Sequence, residues 1–191
     1  FMELDTGKLQ NNEARASYGG AMAVEGCVSL YVWSTDVIDN TAASNGGGFM
    51  LKNTGTQTLN TILFDGNRAT SGDGGAVYNL FDEGYSTLAN WAFIRAVGNV
   101  AEGDGGGIYI TNVNTFDALN WLVMGNVAST GDGGGVYMTK ISYQTTLKEL
   151  NVTGNSAVKG HGGGIAFVSS PLASNDWQRN YIHANVAGGS G

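Results

Sequence analysis

The carboxylates best placed to do chemistry recur at a nearly constant interval. Asp73, Asp104 and Asp132 stand 31 and 28 residues apart, and each is followed by a pair of glycines. Tyr18, Asn45 and His161 hold the equivalent place elsewhere in the chain. In a stacked repeat such aspartates would lie ~4.8 Å apart and repel one another. Two chemistries relieve that repulsion. A Ca²⁺ ion could bridge neighbouring repeats through carboxylate and carbonyl oxygens. Alternatively, each aspartate caps its own Gly-Gly turn by accepting from the free N–H groups there. The cap is the expected reading, because a calcium site gathers more acidic ligands than one per repeat.

A second periodic row is aromatic. Tyr78, Tyr109 and Tyr137 form a stripe that could grip a sugar or a partner surface, or could stiffen a sheet by stacking. Acids outside the rows, Asp82, Glu83 and Asp117, lack the matching basic cluster that general acid–base catalysis needs, so no catalytic residue is expected. His161 and His183 lie 22 residues apart and Cys27 is the sole cysteine, so no zinc spacing exists. Asn151-Val152-Thr153 is a glycosylation sequon whose asparagine should face outward, since Leu150 and Val152 belong to an inward row.

These residues owe their spacing to an internal repeat. Asn-x-Ala occurs at Asn12, Asn40, Asn67, Asn99, Asn126, Asn155 and Asn185, with steps of 28, 27, 32, 27, 29 and 30. A Gly-Gly-(Ala/Gly) triplet follows each of the first six, ending at Ala21, Gly48, Ala76, Gly107, Gly135 and Gly164. Two motifs that keep one period specify stacked coils, with extra residues looped out in the longest interval.

The glycine triplets and the lack of a 3.6-residue stripe exclude helical coils. Behind each triplet, apolar residues alternate with period two, as in Ile108-Tyr109-Ile110 and Val136-Tyr137-Met138, which predicts a strand with the tyrosines outward. A second strand precedes each asparagine, its inward residues three and five positions back. The Asn-x-Ala segment is a third, with Gly66, Gly98, Gly125 and Gly154 at the corner before it. An inward asparagine at each corner can donate to the asparagine of the next coil and accept from the one before. The expectation is an all-β, right-handed parallel β-helix of about six coils, three short strands per coil, in one segment spanning 1–191.

Composition agrees. Glycine fills 31 of 191 positions and proline one, while 13% of residues are charged, about half the usual share. The net charge of −7 gives no footprint for nucleic acid, and no run of residues is long and apolar enough for a membrane helix.

Phe64-Asp65-Gly66-Asn67 followed by Gly74-Gly75-Ala76-Val77 resembles the FxxN and GGA(I/L/V) repeats of the chlamydial polymorphic outer-membrane proteins. The Gly-Asn-x-Ala and Gly-Gly-Gly-(Ile/Val)-Tyr pairs at 98–109 and 125–137 are similar to repeats of large surface β-helix proteins. The resemblance implies an extracellular or cell-surface location and a structural or adhesive role: a rod or filament segment made for extension and multivalent contact. Right-handed β-helices also host polysaccharide lyases and hydrolases, which makes a carbohydrate-active enzyme the rival and a calcium-stiffened adhesion module a third reading. The expected partners are neighbouring segments of one longer chain or identical chains stacked end to end, with surface glycans or other surface proteins as further candidates. Both ends fall within a coil, as expected of an excerpt from a longer solenoid. No cofactor is called for apart from the calcium considered at Asp73, Asp104 and Asp132.

Overall fold

Backbone conformation turns this sequence into coils. The computed structural model describes residues 1–82, 88–169 and 174–189, which wind into a parallel β-solenoid of about six turns with three parallel sheets. A coil contributes a long strand, a two-residue strand and a four-residue strand, in the second coil Ser29–Ile38, Thr41–Ala42 and Phe49–Lys52. Each pairs in parallel with its counterpart one coil on; Val37, for example, lies beside Phe64, and Ala42 beside Ala69. No helix occurs among the described residues.

Three strands per coil is the expected number, but the strand before the asparagine is not short. It runs ten residues in Ser29–Ile38, Thr56–Asp65 and Leu88–Val97, and in later coils divides in two, as Thr115–Leu119 and Leu122–Met124. The division falls at a residue six positions before each asparagine. Thr6, Ser34, Thr61, Phe93, Asn120, Glu149 and Arg179 all have left-handed φ, between 45° and 59°. Each is stepped over in the pairing register: Trp33 pairs with Asn60 and Thr35 with Ile62. The left-handed residue shifts the alternation by one, so the inward set of the second coil is Leu30, Val32, Thr35 and Val37, all buried. None of these seven residues is glycine, and each left-handed L-residue costs ~1–2 kcal/mol, so the bend is held by the packing on both sides of it.

The corners use the same conformation. The residue before every ladder asparagine has positive φ, and Gly66, Gly98, Gly125 and Gly154 supply four of the seven. The triplet glycines act differently from one another. Gly105 turns the chain at φ 62°, whereas Gly106 is required by contact: a Cβ there would lie 2.3 Å from the Gly134 carbonyl oxygen and 2.3 Å from the Val127 carbonyl carbon. Two backbones of the next coil approach that point, and only a hydrogen fits between them.

Bulky side chains fill the wide part of the interior. Trp91, Phe116 and Trp121 form one aromatic cluster, with Trp91 and Trp121 stacked at 5.9 Å and Phe116 set edge-on to both. Phe49 meets Phe64 edge-on at 5.0 Å. In the narrow part, Ala42, Ala69, Ala101, Ala128 and Ala157 are buried in one row. One inward polar residue, Asn79, has its own partner: it exchanges two hydrogen bonds with the buried Gln57, at 2.9 and 3.0 Å, and Trp91 donates to the same Gln57 oxygen.

Candidate functional site

The asparagines form a continuous hydrogen-bonded column. Asn67 donates from Nδ2 to Asn99 Oδ1 at 2.9 Å and to the Val37 carbonyl at 2.8 Å, while its backbone N–H donates to the same Asn99 oxygen at 2.9 Å. The side-chain step repeats from Asn12 to Asn40, Asn40 to Asn67, Asn99 to Asn126, Asn126 to Asn155 and Asn155 to Asn185. Along the column each of Asn40, Asn67, Asn99, Asn126 and Asn155 has at least two acceptors for its amide and two donors for its oxygen, which allows all five to be fully buried without an orphaned group.

The aspartate row is a second ladder, and its geometry corrects the expected cap. Asp73 Oδ1 accepts from the backbone N–H of Asp104 at 2.8 Å, Asp104 Oδ1 from that of Asp132 at 2.7 Å, and Asp132 Oδ1 from that of His161 at 2.7 Å. The N–H groups therefore belong to the next coil rather than to the aspartate's own turn, because the turn N–H groups already donate to next-coil carbonyls, as Gly105 does to Asp132. Asn45 does the same for Asp73 at 2.8 Å with a neutral oxygen. The glycine before each aspartate makes room for the ladder: a Cβ on Gly103 would stand 2.1 Å from Asp73 Oδ1, and one on Gly131 2.3 Å from Asp104 Oδ1.

Burial raises the pKa of Asp73 and of Asp104 above the ordinary 3.8; the backbone hydrogen bond from the next coil opposes it and that coil's carboxylate reinforces it. Among the described residues no three His, Cys, Asp or Glu side chains converge as metal ligands would.

Tyr78, Tyr109 and Tyr137 lie in register on the four-residue strands. Their rings stack at 4.8 and 5.2 Å, tilted by 16° and 13°. Both faces of Tyr109 are therefore covered by its neighbours, and the stripe offers edges and hydroxyls outward rather than open faces. Burial first, and nearby aspartates second, push all three phenols up, Tyr78 to about 12.

The remaining sequence candidates are dispersed. Asp82 is tied to Asn53, whose Nδ2 donates to Asp82 Oδ2 at 2.6 Å and whose Oδ1 accepts the Asp82 N–H at 2.7 Å; Glu83 lies outside the described residues. Asn151 is exposed on its strand between buried Leu150 and Val152. His183 stands 3.4 Å from Thr153 Oγ1 on the long-strand sheet, whereas the aspartate ladder lies in the turns before the four-residue strands.

One surface escaped the sequence reading. The long strands turn outward the residues seven and nine positions before each asparagine, giving a row Trp33, Asn60, Ala92, Leu119, Lys148 beside a row Tyr31, Thr58, Asn90, Asp117, Thr146. Counting back from the asparagine reveals both rows once the left-handed residue at minus six is allowed for. That residue has no sequence signature, so simple alternation assigns these positions to the wrong face.

No curated protein and no solved structure matches the chain. The Chlamydia polymorphic membrane protein repeat matches residues 61–80. Those residues carry the end of one long strand, ladder residue Asn67, buried Ala69, ladder residue Asp73, the Gly74-Gly75-Ala76 triplet and the strand Val77–Leu80. The strand residues of this stretch pair in register with counterparts in the coils on either side, so the matched residues span parts of all three strands of the repeating coil.

Proposed function

We propose that the chain is a rigid segment of a cell-surface β-solenoid, a non-enzymatic rod that extends from the surface and makes repeated contacts along its length. The asparagine column carries this reading. It continues through every coil from Asn12 to Asn185 and joins coils that have no other reason to share a buried polar residue at one position. Such a column fixes the stacking register and gives the rod a constant cross-section, which suits span rather than turnover. The polymorphic membrane protein repeat at 61–80 supports the surface location. Asp73, Asp104 and Asp132, weighed for calcium, and Asp82, weighed for catalysis, each hold a neighbouring coil's atoms, which supports a structural role too.

Adding the purified 191-residue chain to cells that express it, and counting attachment to their natural substratum, tests this function. Reduced attachment in proportion to dose is the expected result. Unchanged attachment at saturating dose, with the chain folded, would overturn the contact role.

A further inference from the structure

We propose that two copies of the chain pair side by side through the outward face of the long-strand sheet, running antiparallel about a two-fold axis between the coils that carry Ala92 and Leu119. This lateral pairing goes beyond the surface-rod reading and is independent of it.

Exposed apolar side chains gather on that face. Leu88, Phe93 and Leu119 are 41%, 48% and 41% exposed and lie on two neighbouring strands, Leu88–Val97 and Thr115–Leu119. Beside them the small Ala92 leaves a depression of about 380 Å³. Among the described residues, no exposed large apolar side chain lies on a four-residue strand. A patch gathered on one face marks a contact site.

Hollow and knob are neighbours, and that selects a second copy as the occupant. Ala92 and Leu119 pair directly, one rung apart. A two-fold axis parallel to the strands and midway between those rungs lays each copy's Leu119 over the other's Ala92, so one operation fills both hollows. It also sets Asn90 over the second copy's Asp117, and brings Leu88 and Phe93 each within one rung of its own counterpart. Further from the axis, Asn60 faces Lys148, Trp33 faces Gln178 and Tyr31 faces Asp176. No two like charges meet at any of these positions.

The face is large enough. Six long-strand rungs, from Ser29–Ile38 to Ser174–Gln178, stack at ~4.8 Å, and the stretch from Leu88 to Phe93 rises ~3.3 Å per residue, which makes a contact of roughly 570 Å² per copy. The total of about 1,100 Å² is at the low end of specific interfaces and places the association between about 1 μM and about 1 mM.

Sedimentation equilibrium of the 191-residue chain across that range should show a monomer–dimer equilibrium. Ala92→Trp, which fills the hollow, and Leu119→Ser, which removes the knob, should each weaken it at least about tenfold. Val158→Ser, at an exposed position away from this face, should leave it unchanged. Both interface variants change outward positions, so at monomeric dilution they should melt with the parent. Orientation is read by cross-linking in a Cys27→Ser background. A chain carrying Trp33→Cys and one carrying Gln178→Cys should be joined by a short bismaleimide when mixed, and neither should be joined to itself. A monomer at every concentration, a dimer that neither interface variant weakens, or cross-linking of either chain alone as efficient as that of the mixture would each overturn the proposal. Pairing is measured on the purified chain, so its failure leaves the surface reading intact, and failure of the surface reading leaves the pairing result intact.

Discussion

Asp104 accepts the backbone N–H of Asp132, one coil on, across 2.7 Å, and a glycine stands beside it because any side chain there would strike the carboxylate. The contact needs an acceptor oxygen rather than a charge, since Asn45 makes the same contact to Asp73 in the same row. Asp104→Asn should therefore keep the ladder, remove a half-buried charge and raise the melting temperature by a few degrees at neutral pH. Asp104→Ala should lower it by losing a hydrogen bond of about 1 kcal/mol or somewhat more. Thermal melts of the two variants beside the parent decide it.

The same ladder predicts a pH dependence. In the folded chain Asp73 and Asp104 hold protons at a pH where the unfolded chain has released them, so the folded state binds more protons between the ordinary 3.8 and the raised values. Their contribution to stability must then fall as pH rises through that window and stay reduced above it. Urea unfolding of the parent and of the Asp73→Asn/Asp104→Asn double variant across this range measures it: the difference between them should be largest at neutral pH and shrink on acidification.

Tyr78 gives the alkaline counterpart. Its phenol is pushed up to about 12, so the unfolded chain ionises first as pH rises above the ordinary 10.0 and stability declines from there to about 12. Ultraviolet titration of the native chain should show Tyr78, Tyr109 and Tyr137 ionising well above the ordinary 10.0. Simultaneous ionisation of all eight tyrosines would contradict the stack.

Asn99 offers the sharpest structural variant. Asn99→Leu would strip the acceptor from the buried Asn67 side-chain and backbone donors and leave Asn126 Oδ1 with only the backbone N–H of residue 99. Each orphaned group costs ~1–3 kcal/mol, so the variant should lose several kcal/mol or fail to fold. Gln57→Leu should also destabilise by orphaning Asn79, but the double variant Gln57→Leu/Asn79→Leu should recover part of the loss, because both ends of that exchange are then apolar. Denaturant melts of the single and double variants give the coupling directly.

The glycines separate by mechanism. Gly106→Ala places a methyl group 2.3 Å from two backbone atoms of the next coil and should prevent native stacking. Gly125→Ala meets no atom within 4 Å and carries only the left-handed backbone cost of ~1–2 kcal/mol. Expression and melting of the two variants should differ accordingly.

Much of this was legible in the chain. The asparagine period marks the column, the alternation behind each triplet marks the inner and outer faces of the short strands, and Gly66-Asn67 marks a corner that does have φ 64°. Interruptions without a compositional trace were not legible. Phe93, Glu149 and Arg179 adopt left-handed backbone although nothing in their side chains asks for it; the shift at Phe93 hid the inward Trp91, as the one at Asn120 hid the outward Asp117. The aspartate ladder was misread for a related reason. Spacing shows that Asp104 lies near glycine N–H groups, but only the stacking direction shows that Asp132, in the next coil, supplies the one it accepts.

A rod that makes contacts from a cell must be exposed at the cell surface. Antibody raised against the folded chain and applied to intact cells that express it should label them before permeabilisation as strongly as after it. Labelling that appears only once the membrane is opened would contradict the surface rod.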